Sequence, residues 1–211
     1  GRLGEAGVLT IYATGNHDPG EPGRRAHALA WPDSVTVVAG PEPVRVEVRD
    51  RADRVVGAVT AAGHASSRET RDLVSSFPRP EGSVPEVGLA HAQVVGARAG
   101  DAHEPYAPTE IRTLEESGFD YWALGHVHVR QRVIENPPAW YPGNLQGRNP
   151  GETGAKGGLL VDLSPGGAPS VEFRPLAPIR WERLRVEDLS EVATLDGLAR
   201  AVEGRWYEER V

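Results

Sequence analysis

The stretch IYATGNHDPG (residues 11–20) decides how this chain is read. An apolar, β-prone run containing Val8, Leu9, Ile11 and Tyr12 breaks at Gly15 and delivers Asn16, His17 and Asp18 in succession. An amide, an imidazole and a carboxylate therefore stand together at the end of a strand. Their order alone does not name a chemistry, so the rest of the chain has to.

A second cluster, DYWALGHVHVRQ (120–131), ends a strand at Gly125 and follows it with His126, Val127 and His128. Imidazoles at i and i+2 of an extended chain lie on one face, with Cα atoms roughly 6.6 Å apart. One metal ion can take both, or two ions ~3.5–4 Å apart can take one each. The competing reading is a partly exposed strand edge. A third run, EVGLAHAQVVG (86–96), passes through Val87 and Leu89 to His91, whose competing reading is a hydrogen-bonded core histidine. Three strands then end in Asn or His donors, and α/β folds assemble ligand sites at strand ends from residues distant in sequence. Asn16, His91, His126 and His128 form a nitrogen and oxygen set without sulfur, which suits manganese, iron or zinc better than copper(I) or an iron–sulfur cluster.

Composition narrows the classes. The 211 residues suffice for one domain with a sizeable core, or for one domain and a small appendage. A net charge of −7 argues against gripping nucleic acid by bulk positive charge, so a phosphate-bearing ligand has to be met by a local patch or by metal ions. The absence of cysteine removes disulfides and thiolate metal sites and fits a reducing compartment. No apolar run reaches ~18 residues, and no signal-peptide pattern is present, so we expect a cytoplasmic protein with no membrane association. Arginine almost wholly replaces lysine, Lys156 being the one exception, which reads as codon bias. The lack of any methionine and the early first strand lead us to expect a fragment with a missing N-terminal segment.

The apolar patterning predicts strands near 8–13, 35–38, 44–48, 55–60, 87–91, 121–124, 131–134, 158–163, 170–173 and 180–186. Helical patterns fall near 24–30, 68–75, 109–117 and 194–209. In the third of these, Thr109 is the expected cap, Ile111 and Leu114 the apolar stripe, and Gly118 the left-handed stop. SPGGAPS (164–170) reads as a loop between antiparallel strands, and 75–86 as a surface loop.

GNHD (15–18), GLAH (88–91) and GHVH (125–128), in this order at strand ends, resemble the calcineurin-like metallophosphoesterases. The segment 121–163 is similar throughout to the bacterial DNA repair exonuclease branch, the YhaO-like proteins related to the SbcD nuclease subunit. The resemblance covers roughly residues 8 to 180. It implies an α/β fold, a sandwich of two mixed β-sheets flanked by helices, here lacking its N-terminal portion. Residues 1–178 would be a partial core, and 179–211 a C-terminal extension that begins a capping domain.

The same resemblance implies two divalent metal ions in the complete protein, manganese first and iron or zinc as alternatives. Asn16, His91 and His126 would serve one ion and His128 the other. His17 would stabilise the phosphorus centre or protonate the leaving oxygen, with Asp18 orienting its ring; the competing role for Asp18 is a turn or cap. The implied reaction is metal-dependent phosphodiester hydrolysis, with DNA as substrate and an ATPase of the SbcC type as partner. The alternatives are a phosphatase or phosphodiesterase acting on a small phosphate ester, and a non-catalytic scaffold module.

The scaffold alternative arises from a departure. The family carries an Asp-x-His strand end and a Gly-Asp-x-x-Asp segment before Gly-Asn-His, and this chain has neither. DAH (101–103) imitates the first but sits after His91 in an expected loop, so we treat it as a decoy. GETGAKGG (151–158) lacks the Gly-Lys-[Ser/Thr] of a nucleotide loop and reads as a glycine-rich connection. Asn144 and Arg148 are candidate phosphodiester contacts, a surface ion pair being the competing role for Arg148; Arg130 and Arg132 extend the basic strip. Leu195, Leu198, Ala199, Val202 and Trp206 share one helical face, for which packing is expected.

Overall fold

The computed structural model describes residues 1–24, 28–97, 106–164, 167–187, 189–190 and 192–209. Its centre is a six-stranded mixed sheet. In chain order the strands are β1 (Thr10–Ala13), β2 (Val35–Val38), β3 (Val44–Arg49), β4 (Val55–Ala62), β5 (Glu86–His91), β6 (Tyr121–Gly125), β7 (Gln131–Ile134), β8 (Ala139–Tyr141), β9 (Gly157–Asp162) and β10 (Ser170–Pro175). The large sheet runs β3-β4-β5-β6-β8-β7, while β1 with β2 and β9 with β10 form separate pairs. The helices are α1 (Arg2–Glu5), α2 (Ile111–Glu115) and α3 (Leu195–Glu209). The expected α/β class is what the chain adopts.

Strands β4, β5, β6 and β8 are parallel, with antiparallel β3 and β7 at the two edges. The parallel strands are the apolar ones, as central strands covered on both faces have to be. One face carries the core, where Ala62, Leu73, Ala90, Leu114, Trp122, Leu124 and Tyr141 are buried together. Gly88 is part of this packing, because a Cβ there would stand 2.4 Å from the Trp122 ring. Truncating the fully buried Trp122 to alanine would cost ~3–5 kcal/mol. The parallel arrangement also sends the C-terminal ends of β4, β5 and β6 to one edge, so His64, His91 and His126 emerge as neighbours.

Several expected elements differ, each for a local reason. No helix forms over 68–75; only a 3-10 turn at Val74–Ser76 appears. The Glu69 carboxylate accepts from the Arg71 backbone N–H at 3.0 Å and its guanidinium at 2.8 and 2.7 Å, and the Glu69 carbonyl accepts from Ala107 N–H at 2.8 Å. Those bonds take the backbone out of helical geometry. Thr109 does not cap α2; it bridges Val94, and Glu110 occupies the cap position without a side-chain cap bond. Residues 180–186 join no ladder, and the segment is instead pinned by Trp181, whose Nε1 donates to the Gly147 carbonyl at 3.1 Å. β8 lies in PPAWYPG, where flanking prolines masked a strand that pairs with both β6 and β7. The apolar face of α3 stays partly exposed, from Leu195 at 84% to Trp206 at 42%, so the packing expected of it is only partial. The expected helix at 24–30, the decoy at 101–103 and the loop at 164–170 lie wholly or partly outside the described residues.

Candidate metal centre

The site is built from three strand ends. After β1, Thr14 N–H donates to the Val38 carbonyl at 3.1 Å, and the Thr14 carbonyl accepts from His64 N–H at 3.0 Å. Gly20 N–H donates to the His64 carbonyl at 2.8 Å, so both flanks of the Asn16 loop are tied to the end of β4. The loop itself closes on Asp18. Its carboxylate accepts from the Gly15 N–H at 2.9 Å and from the Tyr12 hydroxyl. Those two bonds, one to each oxygen, give Asp18 a turn-closing role.

Asn16 and His91 meet directly, His91 Nε2 standing 2.8 Å from Asn16 Oδ1 across 75 residues of chain. The amide oxygen accepts, so Nε2 carries the proton in this state. The His91 ring sits between two glycines: a Cβ on Gly15 would lie 2.5 Å from its Nδ1, and one on Gly125 2.9 Å. Both motif glycines are therefore explained by one imidazole. Burial is the main cause that pushes His91 down to about 3, with the nearby His64, His126, His17 and His128 adding to it. His91 is neutral at physiological pH, as a ligand has to be.

His126 follows the end of β6 and is buried, with a backbone φ of 104°. A non-glycine residue in that region carries ~1–3 kcal/mol of strain, which tends to persist at functional positions. Its ring meets His91 edge-on at 5.3 Å and Tyr106 at 5.9 Å. The sequence reading missed a fourth histidine here. His64 is fully buried, packs its ring edge against His91 at 5.1 Å, and bonds through Nε2 to the His91 carbonyl at 2.7 Å. Burial pushes its pKa down, so it too is neutral. The signal that could have found it is positional: it follows β4 as His126 follows β6.

His128 has its own acid, with Nδ1 2.8 Å from Glu152 Oε1. A carboxylate on Nδ1–H orients an imidazole and leaves Nε2 as the lone-pair nitrogen of the neutral ring. Glu152 also accepts from the Arg148 N–H at 2.6 Å. Burial alone would raise its pKa, but the Arg148 amide, the His128 ring and the Asn144 side chain outweigh that and hold it below the ordinary value. Glu152 was not foreseen either, being an acid within a loop read as a plain connection.

The remaining candidates are placed as follows. His17 is exposed and, among the described residues, no hydrogen bond engages its ring. Asn144 lies against the Glu152 carboxylate, and Arg148 is an exposed cation with no ion pair among the described residues. Arg132 is different: it pairs with Glu135 and lies over Trp140, which removes it from an open basic strip.

These residues do not by themselves fit a complete two-metal centre. The donors are imidazoles and one amide, none of them a carboxylate, and among the described residues no three His, Asp or Glu side chains converge to hold an ion. The two carboxylates touching the site's loops, Asp18 and Glu152, are engaged as described. A pair of dications needs compensating negative charge, which this set does not supply.

No family model matches the chain. It is 32% identical over 214 residues to a Bacillus subtilis (strain 168) protein named uncharacterized metallophosphoesterase YhaO. That match takes in 99% of this chain and 50% of the relative, so the chain spans half the length of the protein it resembles. The likeness supports the metallophosphoesterase family, and the six-stranded mixed sheet with its two strand pairs is consistent with that family's sandwich.

Proposed function

We propose that this chain supplies the imidazole and amide half of a metal-dependent phosphoester hydrolase, and that the complete protein is a DNA exonuclease. The observation that carries the reading is the convergence of Asn16, His91 and His126 at one sheet edge, with His91 pressed between Gly15 and Gly125. The half-length match to a metallophosphoesterase supports the reaction class.

The residues of this chain divide the work by exposure. Buried His91, held neutral, and buried His126 present their ring nitrogens to the site. Exposed His17 is free to hold a proton at the substrate's leaving oxygen. Glu152 keeps the His128 ring in one tautomer and one orientation. In the complete protein Asn16, His91, His126 and His128 would help to hold divalent ions, manganese for preference, and the chemistry so supplied would be Lewis acidity toward the phosphate. DNA is favoured over a small ester by Arg130 and Arg148, both exposed on the His128 side.

The test uses the complete protein with manganese. Linear duplex and single-stranded DNA should be degraded, and His17→Ala should lower turnover by about 10²–10⁴-fold, the usual size for an acid–base group, with metal content unchanged. Efficient hydrolysis of a nucleotide or sugar phosphate with no cleavage of DNA would replace the exonuclease with a small-phosphoester enzyme.

A further inference from the structure

The glycine-rich loop that lacks a nucleotide-binding signature folds directly beside His128. Residues 151–156 and 128–130 enclose a cavity of about 430 Å³. Two cations line it, Arg130 and Lys156, the latter being the one lysine in the chain. Neither has a carboxylate partner among the described residues. The Arg130 guanidinium lies 3.6 Å over the Phe173 ring, which fixes its plane through one face and leaves its N–H edge to bond elsewhere. Lys156 Nζ is 3.4 Å from the His128 carbonyl, a long contact that leaves most of the ammonium's donor capacity unused.

The acid in the cavity forms no ion pair with either of them. Glu152 turns its carboxylate onto His128 Nδ1 and the Arg148 N–H, at 2.8 and 2.6 Å. A pair of positioned cations is left on one wall of a chain whose net charge is −7. Their complement is a compact anion with several acceptor oxygens. A planar guanidinium and a point-charge ammonium together match a phosphate group.

We propose that this cavity is an anion subsite for the phosphate that flanks the scissile ester of a polynucleotide. The assignment rests on the phosphoester-hydrolase reading above and makes it more specific. Substrates with a second phosphate would gain the Arg130 and Lys156 contacts, and esters with a single phosphate would not.

The complete, manganese-loaded protein is assayed on TpTpT, which has two phosphates, and on TpT, which has one. The wild type should favour TpTpT in kcat/KM. Lys156→Met and Arg130→Gln should each reduce that preference about tenfold, the usual worth of one hydrogen bond to a charged group, and Lys156→Arg should retain it. A parallel fall on both substrates would mark a structural role and overturn the subsite, as would an unchanged preference. If the wild type cuts neither dinucleotide nor trinucleotide, the polynucleotide reading fails while the small-phosphoester alternative stands, and binding of inorganic pyrophosphate to the metal-free protein decides the subsite by calorimetry. Binding weakened at least tenfold in the Lys156→Met, Arg130→Gln double variant sustains it; equal binding, or none in the wild type, overturns it.

Discussion

An alanine at position 15 differs from the native glycine by one methyl group, and that methyl would stand 2.5 Å from His91 Nδ1. The ring has to move, and its 2.8 Å bond to Asn16 goes with it. Gly15→Ala should therefore cost ~1–3 kcal/mol of stability, the usual range for overpacking. In the complete protein it should also lower manganese content below that of wild type, with circular dichroism unchanged. Full metal loading of this variant, read by elemental analysis, would show that the ring is not clamped. At this scale much of the site was legible. Asn16, His91, His126 and His128 announce themselves because each follows an apolar strand. His64 does not, since it follows small residues in AAGHASS and looks like any turn. Glu152 does not, because its partner His128 lies 24 residues away and only folding brings them together.

Among strands, β1 is the odd one. It carries Asn16 yet, among the described residues, has one strand partner, β2, in parallel, with none of its four residues buried. Two-stranded sheets are marginal in water, and parallel strands are ordinarily covered on both faces. Backbone amides of β1 in the isolated 211-residue chain should exchange with solvent ~100-fold faster or more than those of β5 and β6, since local opening costs least where packing is thinnest. Equal protection, measured by hydrogen exchange, would mean that β1 is held by contacts beyond β2. Most strands were legible at this scale because apolar alternation and glycine punctuation agree. The helix expected at 68–75 did not form and the one at 109–117 was overextended because Glu69 and Thr109 bond to other segments, which no local pattern reports. The strand expected at 180–186 has the alternation but no sheet edge to join.

Taken whole, the molecule gathers imidazoles and one amide on one sheet edge and matches half the length of its relative. Two bound dications would stand largely uncompensated on such a set. Titration calorimetry on the 211-residue chain should accordingly show weak manganese binding and no pair of tight sites. Two tight sites in this chain would contradict the account of its donor set. The parallel order β4-β5-β6-β8 has one more consequence, in time rather than space. Each parallel pairing must close a long crossover before any contact rewards it, and Asn16 meets His91 across 75 residues. No short stretch of the chain can assemble this cluster early. During synthesis Asn16 leaves the ribosome long before His126, so these side chains wait on separate strand ends and meet only when folding is nearly complete.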